Sequence, residues 1–353
     1  MSPVVYVIGA NVQSLTTALL LRRKGYDVTV LSTHFPGDAN SNDPSSWSSA
    51  QWTSFASDTD TRLKRYDAAT FHMFWELAKC KAAEAGLMVV SSYNYSEKPI
   101  PSGQAGLWWK TMVPSFQILR QQELPSHFIT GGYHYTTVVI NVGRYLRWLQ
   151  SQYLSLGGKR RRVPSRVSID DMLQDDAFSD ADVVLNCSNM NDPDMLYRYK
   201  QTIVVRASHI RRAISVTKND DTYTFITPRN DGTIIIGRIE NVPQRTLDNN
   251  KLLKEGLQYC PDLLSGQSLN QLDPVSEYSG RIPFMRRNGP RLQNEFKISA
   301  AGKTVLVTHH YGYNAIGYQS SWGSSQEAVQ LVNEGWAFLQ KESENICQLI
   351  SRL

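Results

Sequence analysis

The first thirty residues of the chain alternate between two kinds of hydrophobic pattern. Val4 to Ile8 is an unbroken apolar run that ends at Gly9, which is typical of a strand buried on both faces. From Gln13 to Lys24 the apolar residues return at helical spacing, and the run from Tyr26 to Leu31 again has strand character. Strand, helix and strand over about 30 residues predict a βαβ unit, the opening of a dinucleotide-binding fold.

Similar patterns predict further elements along the rest of the chain. We expect a strand at 182–186 and another at 304–308, both in the sheet of the first unit. The runs 222–226 and 232–236 are expected to pair as a hairpin. The apolar spacing predicts helices at 58–85, 139–156 and 325–342. The fold class is therefore α/β.

Composition and charge exclude several classes of protein. The 353 residues are 41% hydrophobic and 20% charged, which is ordinary for a globular chain. No apolar run approaches the roughly 18 residues that a membrane span requires. Four cysteines without a CxxC pair predict neither a metal site nor a disulfide framework. The net charge is only +5, and we interpret the basic run Lys159–Arg162 as a solvated turn before a strand, so no nucleic-acid partner is expected.

A resemblance to a known family emerges from motifs spread over the whole chain. The most specific one is H-x-Y-G followed by G-Y-Q-x-S-W-G, at His309–Gly323. Further landmarks are Ser46–Trp52, Trp108-Trp109-Lys110 and Gly131-Gly132-Tyr133. With these motifs the chain resembles the D-amino acid oxidase family of flavoproteins. The resemblance implies FAD as cofactor and oxidative deamination by hydride transfer to flavin N5.

The same resemblance implies two interleaved domains. Residues 1–60, 136–200 and 292–353 are expected to form a Rossmann-like domain of the FAD-binding type. Residues 61–135 and 201–291 are expected to form a substrate domain built on a mixed sheet.

The predicted cofactor site departs from the family pattern at its first turn. The fingerprint G-x-G-x-x-G reads Gly9-Ala10-Asn11-Val12-Gln13-Ser14 here. The second glycine normally lets the backbone approach the pyrophosphate, so the side chain of Asn11 is expected to obstruct it. Ser14 is a milder change, because a small residue still permits close packing of helix on strand.

Other cofactor contacts of the family are changed as well. Ser49 stands at a flavin-loop glycine, and 187–191 replaces a small, glycine-containing turn. No acid stands at the end of the second strand to bind the ribose hydroxyls. The start of the last helix, Gly317-Tyr318-Gln319, retains the family pattern and is expected to face the flavin ring. We therefore expect FAD binding to be lost or much weakened, the alternative being FAD bound with a displaced pyrophosphate.

In the substrate site the resemblance implies an arginine for the substrate carboxylate and tyrosines that line the cavity. The family arginine falls on Pro283, and Arg281 lies two residues earlier, on the same strand face. Arg281 is therefore either a displaced carboxylate anchor or a surface residue. Phe225 replaces a family tyrosine, for which Tyr223 is expected to compensate from the same face.

Three further residues complete the predicted catalytic set. Glu240 stands where some members have a second tyrosine. In an apolar pocket its pKa would rise and suit acid–base chemistry, whereas at the surface it would have no such role. Tyr311 and His309 are the next candidates.

Three functions remain open from the sequence. The first is a repurposed enzyme that performs flavin-independent, non-oxidative acid–base chemistry on an amino-acid- or imine-derived molecule. The second is a FAD-dependent D-amino acid oxidase that releases hydrogen peroxide. The third is a binding or scaffold protein. For the enzymes, the expected partner is a carboxylate-bearing small molecule.

The tripeptide Ser351-Arg352-Leu353 resembles the Ser-Lys-Leu signal that a peroxisomal import receptor reads. Arginine in place of lysine keeps the positive charge of that signal. We therefore expect a peroxisomal location, with a cytoplasmic one as the alternative.

Overall fold

The computed structural model describes residues 2–38, 49–99, 107–125, 128–164, 168–188, 192–241, 248–266, 272, 274–286 and 289–350, without the side chains of Ser49 and 346–350. The strands of this part of the chain are β1 (Val4–Ile8), β2 (Asp27–Ser32), β3 (Ser49–Gln51), β4 (Leu87–Ser96), β5 (Gln117–Ile118), β6 (Gly131–Asn141), β7 (Lys159–Arg162), β8 (Val183–Asn186), β9 (Met195–Arg206), β10 (Arg212–Thr217), β11 (Tyr223–Pro228), β12 (Thr233–Glu240), β13 (Pro274–Met285), β14 (Arg291–Ile298) and β15 (Thr304–Tyr311). The helices are α1 (Val12–Arg23), α2 (Thr61–Cys80), α3 (Ala82–Ala85), α4 (Val142–Ser155), α5 (Ile169–Gln174), α6 (Asn249–Tyr259) and α7 (Ser321–Ile350).

The first sheet has six strands in the order β14-β15-β8-β1-β2-β7. Strands β15, β8, β1, β2 and β7 run parallel, and β14 is an antiparallel edge. Val5 of β1 pairs with Val28 of β2 on one side and Val183 of β8 on the other. The parallel sheet predicted from the four apolar runs is therefore confirmed.

Both faces of this sheet are covered, which explains why β1 is apolar throughout. Val5 and Val7 pack into a core that α1, α2, α4 and α7 share. Tyr6 and Ile8 point to the opposite side, where α5 contributes Met172. A strand with two buried faces reads as a continuous hydrophobic run rather than an alternation.

The second sheet is mixed and has the order β13-β9-β12-β11-β10-β4-β6-β3, with β5 beside β6. Strands β10 and β4 run parallel, and the other neighbours are antiparallel. The predicted hairpin is present as β11 and β12, in which Ile226 pairs with Ile236. The fold class expected from the sequence, α/β with a Rossmann-like sheet and a mixed sheet, is thus the observed one.

The two faces of the mixed sheet are different. Ile226, Ile234 and Ile236 lie on the face that α6 covers, which we call the outer face. Phe225 and Ile235 lie on the opposite face, which we call the inner face. The alternation of side chains along each strand assigns every neighbouring residue to one face or the other.

Two local predictions need correction. The basic run Lys159–Arg162 is not a turn but strand β7 itself, paired with β2 through Val30↔Arg160. As an edge strand it is largely exposed, so charged side chains are tolerated there. The helix expected from residue 139 begins at Val142, because β6 continues to Asn141, whose side chain caps the helix by accepting from the N–H of Arg144.

Candidate functional site

The turn between β1 and α1 is closed by the side chain of Asn11. Gly9 has φ +102°, a conformation that side-chain-bearing residues rarely adopt. Asn11 then caps α1, since its Oδ1 accepts the N–H of Ser14 at 3.0 Å. Its Nδ2 donates to the carbonyl oxygen of Cys187 at 2.9 Å. The amide of Asn11 therefore connects the helix N-terminus to the end of β8.

The neighbouring positions reinforce this closure. Ser14 is fully buried and its hydroxyl donates to the carbonyl of Asn11 at 2.9 Å. Gln13 donates from Nε2 to the carbonyl of Gly317 at 2.8 Å, which links α1 to the C-terminal motif. Tyr318 packs at 6.4 Å, centroid to centroid, from Tyr145 of α4. Most of the predicted cofactor residues thus lie together at the carboxyl ends of the parallel strands.

Two of the predicted cofactor residues have different surroundings: Ser49 lies in the mixed sheet, and the side chain of Gln319 lies beside a buried carboxyl group. Ser49 starts β3 in the mixed sheet, where it pairs with Asn141. Nε2 of Gln319 lies 3.4 Å from Oδ2 of Asp67, a fully buried carboxyl of α2. Ser54 and Ser320 donate to the same carboxyl at 2.6 Å and 2.7 Å.

Asp67 was not predicted from the sequence. Burial is the main cause that raises its pKa from 3.8 to about 7, and the donors from Ser54, Ser320 and Gln319 limit the rise. A carboxyl with such a pKa exchanges protons near neutral pH and is suited to acid–base chemistry. In the sequence, one aspartate on an amphipathic helix gives no sign of burial.

On the inner face of the mixed sheet, Tyr223 and Phe225 lie side by side, as expected. Their ring centroids are 5.9 Å apart. The hydroxyl of Tyr223 donates to Oγ of Ser215 at 2.9 Å, and burial raises its pKa. The tip of the Phe225 ring covers Gly237, where a Cβ would be only 2.1 Å from Cζ of the ring. The sequence reasoning about their shared face is confirmed.

A polar network that the sequence did not reveal continues from Tyr223 across the inner face. Gln51 donates from Nε2 to Thr53 at 3.0 Å and lies 3.4 Å from Ser92 and 3.3 Å from Ser215. Within the described part of the chain, the buried Oε1 of Gln51 has no hydrogen-bond donor. Buried polar atoms are normally paired, so this oxygen is an acceptor that the described part of the chain leaves without a donor.

Arg281 and Glu240 do not join this network. Ile282 packs on the inner-face cluster, so its neighbour Arg281 points to the outer side, where it is exposed. Glu240 follows Ile239, which is in the same inner cluster, and it forms an ion pair with Arg238 at 2.7 Å. It borders an outer surface cleft of about 400 Å³. Both residues therefore lie across the sheet from Tyr223, and for Arg281 this position agrees with the second of the two alternatives left open by the sequence, that of a surface residue.

His309 and Tyr311 are buried in the other sheet. Asn186 donates to Nδ1 of His309 at 3.3 Å, so Nε2 carries the proton and donates to Glu295 at 2.9 Å. Burial lowers the pKa of His309. The hydroxyl of Tyr311 donates to Asp192 at 2.8 Å and accepts from Arg291 at 3.0 Å. These contacts join β8, β14 and β15 rather than approach Tyr223.

Among the described residues, no three His, Cys, Asp or Glu side chains are grouped so that they could hold a metal ion. No helix in this part of the chain has the length and apolar character needed to cross a membrane.

With this geometry established, comparison with known proteins identifies the family. The model of the FAD dependent oxidoreductase family matches residues 5–331. The chain belongs to this family. The D-amino-acid oxidase of Schizosaccharomyces pombe is 28% identical over 348 residues, covering 93% of this chain and 95% of that protein. The D-aspartate oxidase of Talaromyces thermophilus is 28% identical over 382 residues, covering 98% and 100%.

Solved structures with lower sequence identity show the same fold. Glycine oxidase from Geobacillus kaustophilus superposes with a TM-score of 0.66 at 14% identity, covering 94% of this chain and 95% of that one. L-proline dehydrogenase from P. horikoshii gives a TM-score of 0.68 at 12% identity, covering 95% and 94%. The resemblance to the D-amino acid oxidase family inferred from the motifs is confirmed, and the family is one of oxidoreductases.

Proposed function

We propose that this chain keeps the oxidase fold as an enzyme for a small amino-acid- or imine-derived molecule but holds FAD weakly or not at all. Its chemistry would then be non-oxidative and run by acid–base groups. The observation that carries the proposal is the side chain of Asn11, which fills the β1–α1 turn. A diphosphate at such a turn needs close backbone approach and free N–H groups at the helix N-terminus.

Both requirements are compromised by contacts within the chain. The N–H of Ser14 already donates to Oδ1 of Asn11, and the Asn11 amide is held in place by the carbonyl of Cys187. Gln13 bridges from the same helix turn to Gly317. FAD would have to break these hydrogen bonds before its diphosphate could bind. We therefore judge the residues at this turn a poor fit for the family cofactor.

The inner face of the mixed sheet supports the small-molecule part of the proposal. Tyr223 and Phe225 supply an aromatic wall, and Gln51 supplies a buried acceptor without a donor in the described chain. Of the predicted catalytic residues, Tyr223 is the one placed at this wall. Its hydroxyl can donate to or accept from a ligand when the Ser215 contact rearranges.

The absorption spectrum of the purified protein tests the proposal directly. We expect no flavin band, and weak FAD binding in a titration followed by flavin fluorescence. Asn11→Gly alone should not restore tight binding, because the Ser49 and 187–191 departures remain. Tight, stoichiometric FAD in the unmodified protein would overturn the proposal.

An alternative function is FAD-dependent oxidative deamination with release of hydrogen peroxide. It is favoured by the named D-amino-acid and D-aspartate oxidases that match nearly the whole chain. It requires the Asn11 side chain to leave the turn when FAD binds. Peroxide release from neutral and acidic D-amino acids, with FAD added in excess, distinguishes this alternative from the first proposal.

A peroxisomal address remains a prediction from the sequence. Ser351–Leu353 lie outside the described residues, so the structure adds nothing to it. A fluorescent protein fused in front of residues 1–353 should form puncta that overlap a peroxisomal marker. Removal of the tripeptide should make the signal diffuse, and a diffuse signal with the tripeptide present would contradict the prediction.

A further inference from the structure

Arg229 is a half-buried residue at the end of β11, and two nitrogen atoms of its guanidinium are buried without an acceptor among the described residues. The N–H of Arg229 donates to the carbonyl of Thr233 at 2.8 Å, so the ladder between β11 and β12 continues past Pro228. By alternation, Arg229 follows Phe225 and Thr227 on the inner face. Within the described chain, its buried Nε and Nη2 atoms have no hydrogen-bond partner.

The nearest acid that acts on Arg229 does not satisfy it. Asp231 accepts from the hydroxyl of Thr233 at 2.6 Å and from the amide of Asn141 at 2.8 Å. The charge of Asp231 acts on Arg229, yet among the described residues Asp231 forms no hydrogen bond with the buried Nε and Nη2 atoms of Arg229. A guanidinium is a donor only, and its N–H groups are unfavourable in a buried place unless an acceptor meets them.

A second cation, which is buried, lies on the same face. Lys200 of β9 pairs with Ile239 of β12. It lies four residues before Val204, a member of the inner-face cluster, so the two side chains point to the same face of the sheet. It is 5% exposed, and its Nζ lies 5.9 Å from the centroid of the Phe225 ring. Burial, together with the charge of Arg229, lowers the pKa of Lys200 to about 8.

The charge of Arg229 acts on Lys200, so both cations contribute positive charge to the same part of the inner face. The two unpaired nitrogen atoms of Arg229 still require an acceptor. The adjacent Nε and Nη2 atoms of the planar Arg229 guanidinium can donate two parallel hydrogen bonds to one carboxylate. Tyr223 and Phe225 lie along the same face and would contact the apolar part of the same molecule. The ring of Phe55 packs edge-on to the ring of Tyr223, with 6.3 Å between the centroids, and Phe55 is 58% exposed. The two rings therefore lie where this aromatic wall meets solvent.

We propose that Arg229 and Lys200 form a carboxylate-binding site on the inner face, which takes the role for which Arg281 was one candidate from the sequence. This inference rests on the proposed function, since it locates the carboxylate of the proposed small molecule. It does not depend on whether FAD binds.

Titration calorimetry of the full-length protein with three probes tests the site. Propionate is the carboxylate, propionamide its neutral counterpart, and inorganic phosphate the competing kind of anion. We expect propionate to bind, propionamide not to bind, and phosphate to bind more weakly than propionate. Arg229→Met and Lys200→Met should each weaken propionate binding at least tenfold, because a charge-assisted hydrogen bond is lost.

Matched substitutions elsewhere identify which arginine matters. Arg206→Met removes an exposed arginine at the end of β9, paired with Thr233, and should leave propionate binding unchanged. Arg281→Met should also leave it unchanged. Loss of binding in the Arg281 variant with normal binding in the Arg229 variant would overturn the proposal, as would absence of propionate binding or tighter binding of phosphate.

The stability of the ligand-free variants provides an independent readout. Removal of a charged group with unsatisfied buried nitrogen atoms should leave Arg229→Met at least as stable as the parent protein in urea unfolding. A large loss of stability would show that the protein itself satisfies the guanidinium, and the proposal would fail. The flavin spectrum tests the proposed function separately, so the two failures are distinguishable.

Discussion

The β1–α1 turn and the inner face of the mixed sheet differ in how far their buried polar atoms are hydrogen-bonded within the chain. At the turn the chain supplies its own partners, since Asn11 binds both the N–H of Ser14 and the carbonyl of Cys187. On the inner face, Oε1 of Gln51 and two nitrogen atoms of Arg229 have no partner within the described residues. Buried polar groups are usually paired. The hydrogen-bonded turn therefore agrees with the proposed loss of FAD affinity, and the unpaired atoms of the inner face agree with the proposed ligand site.

The largest expected effect concerns Asp67, a buried group that is hydrogen-bonded but strongly desolvated. Its pKa rises from 3.8 to about 7 in the folded protein, so the folded state holds a proton that the unfolded state releases. Stability contributed by that proton is full below about pH 4 and is lost as the pH rises to about 7. The loss is of the order of 4 kcal/mol at about 1.36 kcal/mol per pKa unit.

Asp67→Asn should remove this pH dependence and be the more stable protein at pH 8. Urea unfolding between pH 4 and pH 8 measures the difference. Asp27→Asn, at a partly exposed carboxylate paired with Lys159, serves as the control for the loss of a carboxylate elsewhere in the chain. A parallel pH dependence in Asp67→Asn and the parent protein would contradict the assignment.

The next largest effect concerns the packing of the Phe225 ring on Gly237 at the inner face. Gly237→Ala should destabilise the protein by about 1–3 kcal/mol, because its Cβ would clash with the Phe225 ring. Phe225→Leu in the same chain should recover part of the loss. Gly143→Ala is the matched control, since no atom lies within 4 Å of its Cβ position and alanine favours helix α4. Equal stability of Gly237→Ala and the parent would mean that the ring does not lie over the strand.

A smaller effect tests the closure of the turn. Asn11→Ala should destabilise the protein by about 1 kcal/mol, because the cap of α1 and the donor to Cys187 are both lost. Asn11→Ser keeps an acceptor for the N–H of Ser14 and should retain most of the stability. Urea midpoints of the three proteins provide the comparison. If alanine were as good as asparagine here, the cap would have no energetic role.

The smallest effect concerns strand β7, away from both regions. Arg162 pairs with Asp38 at 2.9 Å, with 56% and 25% of the two side chains exposed. Arg162→Gln should change the stability by less than about 0.5 kcal/mol, since exposed ion pairs contribute little. A change several times larger, measured by the same unfolding experiment, would assign the basic run a structural role beyond that of an edge strand.

The sequence predicted the parallel sheet because its central strands are apolar on both faces. Continuous apolar runs such as Val4–Ile8 and Val183–Asn186 are typical of strands in a parallel sheet, and the helix between the first two strands supports the parallel pairing. The C-terminal motif His309–Gly323 then indicated the family, because many unusual residues recur at fixed spacing. The shared face of Tyr223 and Phe225 followed from the period of a strand alone.

The site was harder to predict because alternation along a strand shows which residues share a face but not which face of the sheet that is. Alternation correctly related Arg281 to Pro283, yet it could not say which face Pro283 occupies, and Ile282 takes the inner position instead. Arg229 was missed because a charged residue after a proline, in a hairpin turn, is ordinarily exposed. Burial of these groups depends on contacts between distant segments, which local patterns do not contain.

The flavin content of the purified protein is the most direct test that the nucleotide turn is closed while the ligand face is open. The protein would be purified in the presence of FAD, dialysed and denatured, and the released flavin compared with the protein concentration. We predict far less than one flavin per chain. One retained FAD per chain would contradict the account, because the side chain of Asn11 would then have to yield the turn to the diphosphate.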